Sequence, residues 1–201
     1  MKSSTRLPLA VATAVAGLAV TSVVTAPLAS ADTRTCRGTI NAVSIDGDIV
    51  VPSGASCTLR GTMVDGNVLV RRDATLEARG VRVGGSIQAD GHRFVLVAPR
   101  VNGDQSIRSR INGDVQLEQG SRGTVRNSVI GGNLQVEQND AKQVATRNRI
   151  GADLQAFSND GGFQISGNAI DGNLQCKSNN PAPTGGNNRV EGNKEDQCKG
   201  L

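Results

Sequence analysis

The sequence predicts an all-β protein, folded as a single-domain right-handed parallel β-helix of about eight coils. A seven-residue motif, IDGNLQC in residues 170–176, recurs through most of the chain at steps of 19 or 20 residues. Each copy alternates apolar and polar residues after a turn, which is the pattern of a short strand. The chain has 25 Gly, and its only aromatic residues are 3 Phe. Its interior should therefore be narrow and lined by aliphatic side chains.

Copies of the motif begin at Ile45, Val64, Val83, Ile111, Ile130, Ile150, Ile170 and, in degenerate form, Val190. One step is 28 residues long, which predicts a coil with an insertion of roughly ten residues within 90–110. Coils stacked in parallel bury their short strands, because each strand pairs with its equivalent about 4.8 Å away. Left-handed hexapeptide helices keep a strict period of about 18 residues, so the longer period favours a right-handed coil. A β-sandwich is the alternative, but it gives no reason for this repeat.

Residues 1–31 have the features of a cleaved secretory signal peptide. Lys2 and Arg6 precede an apolar stretch, and the small residues Ala29, Ser30 and Ala31 form a cleavage site. We therefore expect a secreted, extracellular protein that starts at Asp32 and has no membrane anchor after cleavage. Cleavage leaves 20 basic and 18 acidic residues, a net charge of +2 without a run of like charge. No nucleic-acid partner is expected from this balance.

The mature chain divides into three predicted segments: an N-terminal cap over 32–44, β-helix coils over 45–189 and a C-terminal capping coil over 190–201. In the last motif, Lys194 replaces the apolar residue at position five. A charged final coil does not accept another coil on top of it. We therefore expect a monomer or lateral self-association, and not head-to-tail polymerisation through this end.

Four cysteines lie near the two ends of the repeat. Cys36 and Cys57 are 21 residues apart, and Cys176 and Cys198 are 22 residues apart. Each spacing is about one coil, so of the three possible connectivities we predict Cys36–Cys57 and Cys176–Cys198. Export makes oxidation plausible. Each disulfide should stabilise a terminal coil by about 3 kcal/mol.

Three motif positions suggest contacts between coils. Position three is Gly in every copy except that of Ala152, which predicts a close approach of neighbouring coils more than an obligatory left-handed backbone. Position four is Asp, Asn or Ser in every copy, and such side chains bond to turn backbone and can form a ladder between coils. Position six is glutamine in five successive coils, at Gln88, Gln116, Gln135, Gln155 and Gln175. We predict a hydrogen-bonded surface strip there; the alternative is a docking face for a glycan or a protein.

No metal or other cofactor is expected. Calcium requires six to eight converging oxygens, and the chain lacks the nine-residue glycine-aspartate repeat of calcium-binding β-rolls.

The segment 71–110 carries eight Arg against four acidic residues. The best candidate binding residues are the sole histidine and four arginines of this band: His92, Arg93, Arg100, Arg108 and Arg110. This band could bind an anionic envelope polymer weakly, in a manner that salt suppresses. The simpler interpretation is a loop with solvated charges.

Over residues 36–198 the repeat resembles the right-handed parallel β-helix of pectin-lyase-like proteins. The runs GNLQCKSNNPAP and EGNKEDQCKGL also resemble secreted proteins of actinobacteria. Resemblance of repeats concerns the fold and not the activity.

Lyases of the pectin-lyase-like family imply an Arg or Lys base beside acidic calcium ligands, and its hydrolases imply clustered aspartates. Neither motif is found, and no Trp or Tyr is present to stack on a sugar. We therefore expect no catalytic residues, and a structural or surface-binding role at the cell envelope. The partner would be a cell-wall polysaccharide or another anionic polymer, and a polysaccharide lyase or hydrolase is the alternative function.

Overall fold

The computed structural model describes residues 32–201, so the predicted signal peptide lies outside the described residues. Every regular element within them is a β-strand, and the strands form a parallel β-solenoid of about eight coils. The predicted all-β, single-domain fold is confirmed, and the arrangement is consistent with a right-handed β-helix. No helix among these residues is long and apolar enough to cross a membrane.

Each coil contributes one strand to each of three parallel sheets, in the order A, B, C along the chain. Sheet A contains Thr33–Thr35, Asp48–Val51, Val68–Val70, Ile87–Asp90, Val115–Glu118, Leu134–Glu137, Leu154–Phe157, Leu174–Lys177 and Lys194–Asp196. Sheet B contains Gly38–Ile40, Ser56–Arg60, Thr75–Arg79, Phe94–Ala98, Arg122–Arg126, Gln143–Thr146, Phe163–Ser166 and Thr184–Gly186. Sheet C contains Ser44–Ile45, Met63–Val64, Arg82–Val83, Arg110–Ile111, Val129–Ile130, Arg149–Ile150, Ala169–Ile170 and Arg189–Val190.

The hydrophobic core is a set of columns, in which one motif position repeats from coil to coil. Motif positions one, five and seven point inward, as Ile130, Leu134 and Val136 do with at most 2% of their surface exposed. Their equivalents pair in register in the next coil, where Leu134 lies beside Leu154 and Val136 beside Ala156. Burying each such aliphatic side chain contributes about 1.5–3 kcal/mol, so the core is built from many equal, local contributions.

The glycines of motif position three confirm the predicted close approach between coils. Gly66, Gly132 and Gly172 have negative φ angles, yet a Cβ added to any of them would overlap the side-chain oxygen of an aspartate in the preceding coil. Only Gly47 among the position-three glycines has a positive φ, of 96°. Contact between coils, and not a left-handed backbone, is therefore what requires a small residue at this position.

Both predicted disulfides are present, and both lie inside the solenoid. The Cα atoms are 5.6 Å apart in Cys36–Cys57 and 5.3 Å apart in Cys176–Cys198. All four cysteines are at most 1% exposed. Cys36 lies just before the strand Gly38–Ile40, which pairs with the strand that contains Cys57. Cys198 lies just after the strand Lys194–Asp196, which pairs with the strand that contains Cys176. Each disulfide therefore links a terminal coil to the adjacent coil.

Each end of the solenoid is covered by its own terminal segment. Residues 32–44 supply the first strands of sheets A and B, which pair with the first full coil. At the other end, the strand Lys194–Asp196 pairs with Leu174–Lys177, while Val190 and Leu201 pack against the core.

The extra residues of the 28-residue step form an antiparallel hairpin, with strands Arg100–Asn102 and Gln105–Ile107. The hairpin leaves the solenoid at the corner between sheet B, which ends at Ala98, and sheet C, which resumes at Arg110. Its base is tied together at Ser109, whose hydroxyl donates to the Ala98 carbonyl at 2.7 Å and accepts from the Val81 amide at 3.2 Å. The insertion is thus an addition to a closed coil, and the neighbouring strands keep their register.

Candidate functional site

The glutamines of motif position six form a hydrogen-bonded ladder on the outer face of sheet A. Gln116 donates to Gln135 at 2.7 Å, Gln135 to Gln155 at 2.9 Å, and Gln155 to Gln175 at 3.0 Å. Gln175 in turn donates to the Glu195 carboxylate at 3.0 Å. The predicted surface strip is formed by Gln116, Gln135, Gln155 and Gln175. Gln88 is exposed and donates no side-chain hydrogen bond to Gln116, its register partner. The bonded amides hold these four side chains in one fixed, uncharged strip.

A second ladder runs along motif position four, at the turn between sheets C and A. In each coil the side-chain oxygen at this position accepts a hydrogen bond from the backbone N–H of the equivalent residue in the next coil. The first member, Asp48, accepts from Asn67 at 2.6 Å, and the last donor is Asn193, which bonds to Asn173 at 2.9 Å. The members between them are Ser86, Asp114, Asn133 and Asp153. The oxygens of this position are therefore used within the fold, as the ladder interpretation predicts.

Two buried asparagine ladders, which the sequence analysis did not identify, occupy the other two corners of the coil. One contains Asn139, Asn159 and Asn179, and the other contains Asn148, Asn168 and Asn188. Within the first, Asn159 donates to the Asn179 side chain at 2.9 Å and to the Val136 carbonyl at 2.8 Å. The exact 20-residue spacing in the sequence is the signal that could have revealed them. They satisfy backbone groups inside turns, so their role is structural.

His92 is buried, and it occupies the turn position of the first asparagine ladder two coils before Asn139. Its ring is 1% exposed, and neither ring nitrogen has a hydrogen-bond partner. The ring occupies the space above Gly120, where an added Cβ would overlap it. Burial lowers the pKa of His92 below its ordinary value of 6.5, and the Ala89 carbonyl and the carboxylates of Asp140 and Asp90 offset only part of this effect. The histidine is thus a neutral packing residue of the turn.

The predicted set of His92 and four arginines is not one site. His92 and the exposed Arg93 lie at the corner between sheets A and B, where Arg93 donates to Thr75 at 3.2 Å. Arg100 and the exposed Arg108 belong to the hairpin segment at the corner between sheets B and C, and Arg110 begins the following strand of sheet C. The Arg-rich band therefore winds around the solenoid, because one coil passes through all three faces.

A different group of arginines does meet, beside the hairpin. Arg60 and Arg79 are register partners at the ends of their sheet B strands, and Arg126 reaches the same edge two coils beyond Arg79. The intervening position is the buried Ala98, which leaves a gap in the column. Together with Pro99, Arg100 and Val101, these three arginines line a cleft of about 340 Å³. We call this the hairpin cleft.

Arg100 crosses the corner of the solenoid from the base of the hairpin. Its Cβ lies against Gly80 and its guanidinium against Gly61, since a Cβ added to either glycine would come within 2.6 Å of those atoms. Both glycines have positive φ angles, 61° for Gly80 and 68° for Gly61. Small left-handed residues at this corner thus let the hairpin dock on the N-terminal half of the solenoid.

Acidic residues collect on sheet A, away from the hairpin cleft. Asp90, Glu118 and Glu137 are register partners in three successive coils, next to the glutamine column. Burial raises the pKa of the Glu137 carboxyl, and the like charge of Glu118 raises it further. Within residues 32–201 no three His, Cys, Asp or Glu side chains converge in a way that could hold a metal ion. This acidic column therefore lies on a different face from the hairpin cleft.

No protein-family model, curated protein or solved structure matches the chain in comparison.

Proposed function

We propose that the protein is a secreted, non-enzymatic rod that acts at the cell envelope by binding through its surface. The observation that carries this proposal is the in-register stacking of like residues on the outer faces. Stacking places the same chemical group every 4.8 Å or so along the solenoid, which suits a partner that also repeats. A polysaccharide or another envelope polymer has this property.

Three further observations support the parts of this proposal: binding, the lack of catalysis and secretion. The amides of the glutamine ladder are bonded to one another, so their face is already ordered and loses little side-chain entropy when a partner binds. The sole histidine is enclosed in a turn without a hydrogen-bond partner, where it cannot reach a substrate as an acid or a base. The two buried disulfides also suit an extracellular protein.

The proposal is tested by sedimenting the mature chain, residues 32–201, with isolated cell-wall and membrane fractions. We expect it to pellet with the wall fraction, to saturate, and to be released by salt. The same protein is incubated with polygalacturonate and other uronic-acid polymers, and chain length is followed by size exclusion. Failure to pellet with any fraction, or depolymerisation of a polymer, would overturn the proposal.

A further inference from the structure

We propose that the hairpin cleft is an oxyanion-binding site, which holds the phosphate or carboxylate groups of an envelope polymer. This inference rests on the proposed surface-binding function and assigns it a place and a ligand chemistry. It begins from charge. Four arginines, Arg60, Arg79, Arg100 and Arg126, line one cleft of about 340 Å³.

Very little of this positive charge is compensated inside the protein. Of the four arginines that line the cleft, only Arg79 forms a salt bridge within residues 32–201, to Glu77 at 3.2 Å. Arg60, Arg100 and Arg126 form no salt bridge and donate no side-chain hydrogen bond within residues 32–201. Like charges held close together repel one another, and an oxyanion in the cleft would relieve that repulsion.

The shape of the cleft also suits an oxyanion. Arg60 and Arg79 are about 4.8 Å apart at their backbones, as adjacent strands of a sheet. Between Arg79 and Arg126 the column holds the small, buried Ala98, which does not itself line the cleft; Pro99, Arg100 and Val101 at the base of the hairpin do. A guanidinium group presents paired N–H donors that match the two oxygens of a carboxylate or phosphate. Four arginines around one cleft can therefore hold such a group from several sides.

The surroundings of the hairpin favour a polymer over a single ion. Beyond the corner, Arg82 and Arg110 are register partners in sheet C. They line a second cavity of about 490 Å³, together with Asp65 and the exposed Met63. A chain with repeated negative charges could contact the arginines on both sides of the corner, whereas a small anion could contact only one group.

Mutation of the cleft tests the assignment. The triple variant Arg60→Ala, Arg100→Ala, Arg126→Ala is compared with a control, Arg34→Ala, Arg122→Ala, Arg149→Ala. Both lose three positive charges, but the control arginines lie outside the cleft. Binding to poly(glycerol phosphate) and to polygalacturonate is measured by calorimetry at low and moderate salt, after circular dichroism and thermal unfolding have shown that each variant is folded.

We expect the cleft variant to bind at least about tenfold more weakly, because it loses charge-assisted, paired hydrogen bonds. The control variant should lose less than about threefold, the effect of net charge alone. Loss with only one polymer identifies whether the site takes phosphate or carboxylate. Equal losses in the cleft and control variants would overturn the site.

A conservative variant separates geometry from charge. Replacing the same three arginines with lysine keeps the charge but removes the paired donors, so we expect an intermediate affinity. Wild-type affinity in this variant would also overturn a shaped site. If the wild-type protein sediments with the envelope and the cleft variant does so equally well, only the cleft assignment fails. If the wild-type protein does not sediment at all, the proposed function itself fails.

Discussion

At the scale of single residues, hydrogen bonds of similar geometry have different energetic weight inside and outside the solenoid. Asn159 is fully buried and serves both the Val136 carbonyl and its two neighbours in the asparagine ladder. Gln155, in the same coil, makes two ladder hydrogen bonds on the outer face. Water can replace the partners of Gln155, but it cannot reach those of Asn159.

We therefore expect Asn159→Ala to lower the free energy of unfolding by about 3 kcal/mol, since it leaves several buried groups without partners. Gln155→Ala should cost about 0.5 kcal/mol. Urea denaturation of both variants measures the difference. Equal costs would show that the buried ladder is not a principal source of stability.

His92 makes stability depend on pH. Its pKa is lowered in the folded protein by burial, so the unfolded chain binds more protons as the solution becomes acidic. The free energy of unfolding should therefore be fully retained above the ordinary pKa of 6.5 and decrease as the pH falls below it.

The corresponding measurement compares the wild type with His92→Gln, which cannot titrate. Between about pH 7.5 and pH 5.5, the wild type should lose more unfolding free energy than the variant. The two proteins differ in no other titratable side chain, so the difference reports His92 together with its interactions with Asp140 and Asp90. If the unfolding free energies of the two proteins fall equally over this pH range, His92 is not buried as a neutral ring.

At the scale of elements, the sequence predicts those features that repeat and not those that depend on neighbours in space. The motif at Ile130 and Ile150 indicates strands and inward faces, because period and polarity coincide. The pairs Cys36–Cys57 and Cys176–Cys198 were also predictable, since their spacing is about one coil. Asn139 and Asn159 also repeat, at 20 residues, but the repeat alone does not indicate burial, because asparagine is typical of exposed turns.

The hairpin cleft could not be predicted for a different reason. Arg60, Arg100 and Arg126 are far apart in sequence, and their meeting depends on strand register and on the docking of the hairpin. The arginines of residues 71–110 do not form one band on one face, because each coil turns through three faces. Arg93 and Arg110 consequently lie at different corners.

The hairpin should be removable without loss of the fold. Replacing residues 99–108 with a single glycine restores the 19-residue step, and the new residue takes the place that Gly61 and Gly80 hold in earlier coils. Because Ser109 already bonds to Ala98 across the base at 2.7 Å, we expect circular dichroism and thermal unfolding close to those of the wild type. Unfolding of this variant would show that the hairpin is required for the coil itself.

At the scale of the whole molecule, the solenoid has two different ends. Nine strands of sheet A, spaced about 4.8 Å apart, give a rod of roughly 40 Å. At the N-terminal end Thr33–Thr35 is the outermost strand of sheet A among residues 32–201, and the nearby core residues Ile40 and Ile45 are slightly exposed. The C-terminal end presents Lys194, Glu195 and Asp196, with Leu201 packed against the core.

This asymmetry gives a prediction about assembly. A coil stacked on the C-terminal end would bury Lys194 at a position that is aliphatic in the other coils, and burial of an unpaired charge is costly. The double variant Lys194→Leu, Glu195→Gln makes the last motif resemble its neighbours and extends the glutamine ladder. A contact between opposite ends is open-ended, so sedimentation velocity should show species that elongate as concentration rises. The control Lys177→Leu, Glu118→Gln makes the same change of charge outside the terminal strand, and its sedimentation should equal that of the wild type. A variant that sediments like this control would contradict the charged final coil as the barrier to head-to-tail stacking.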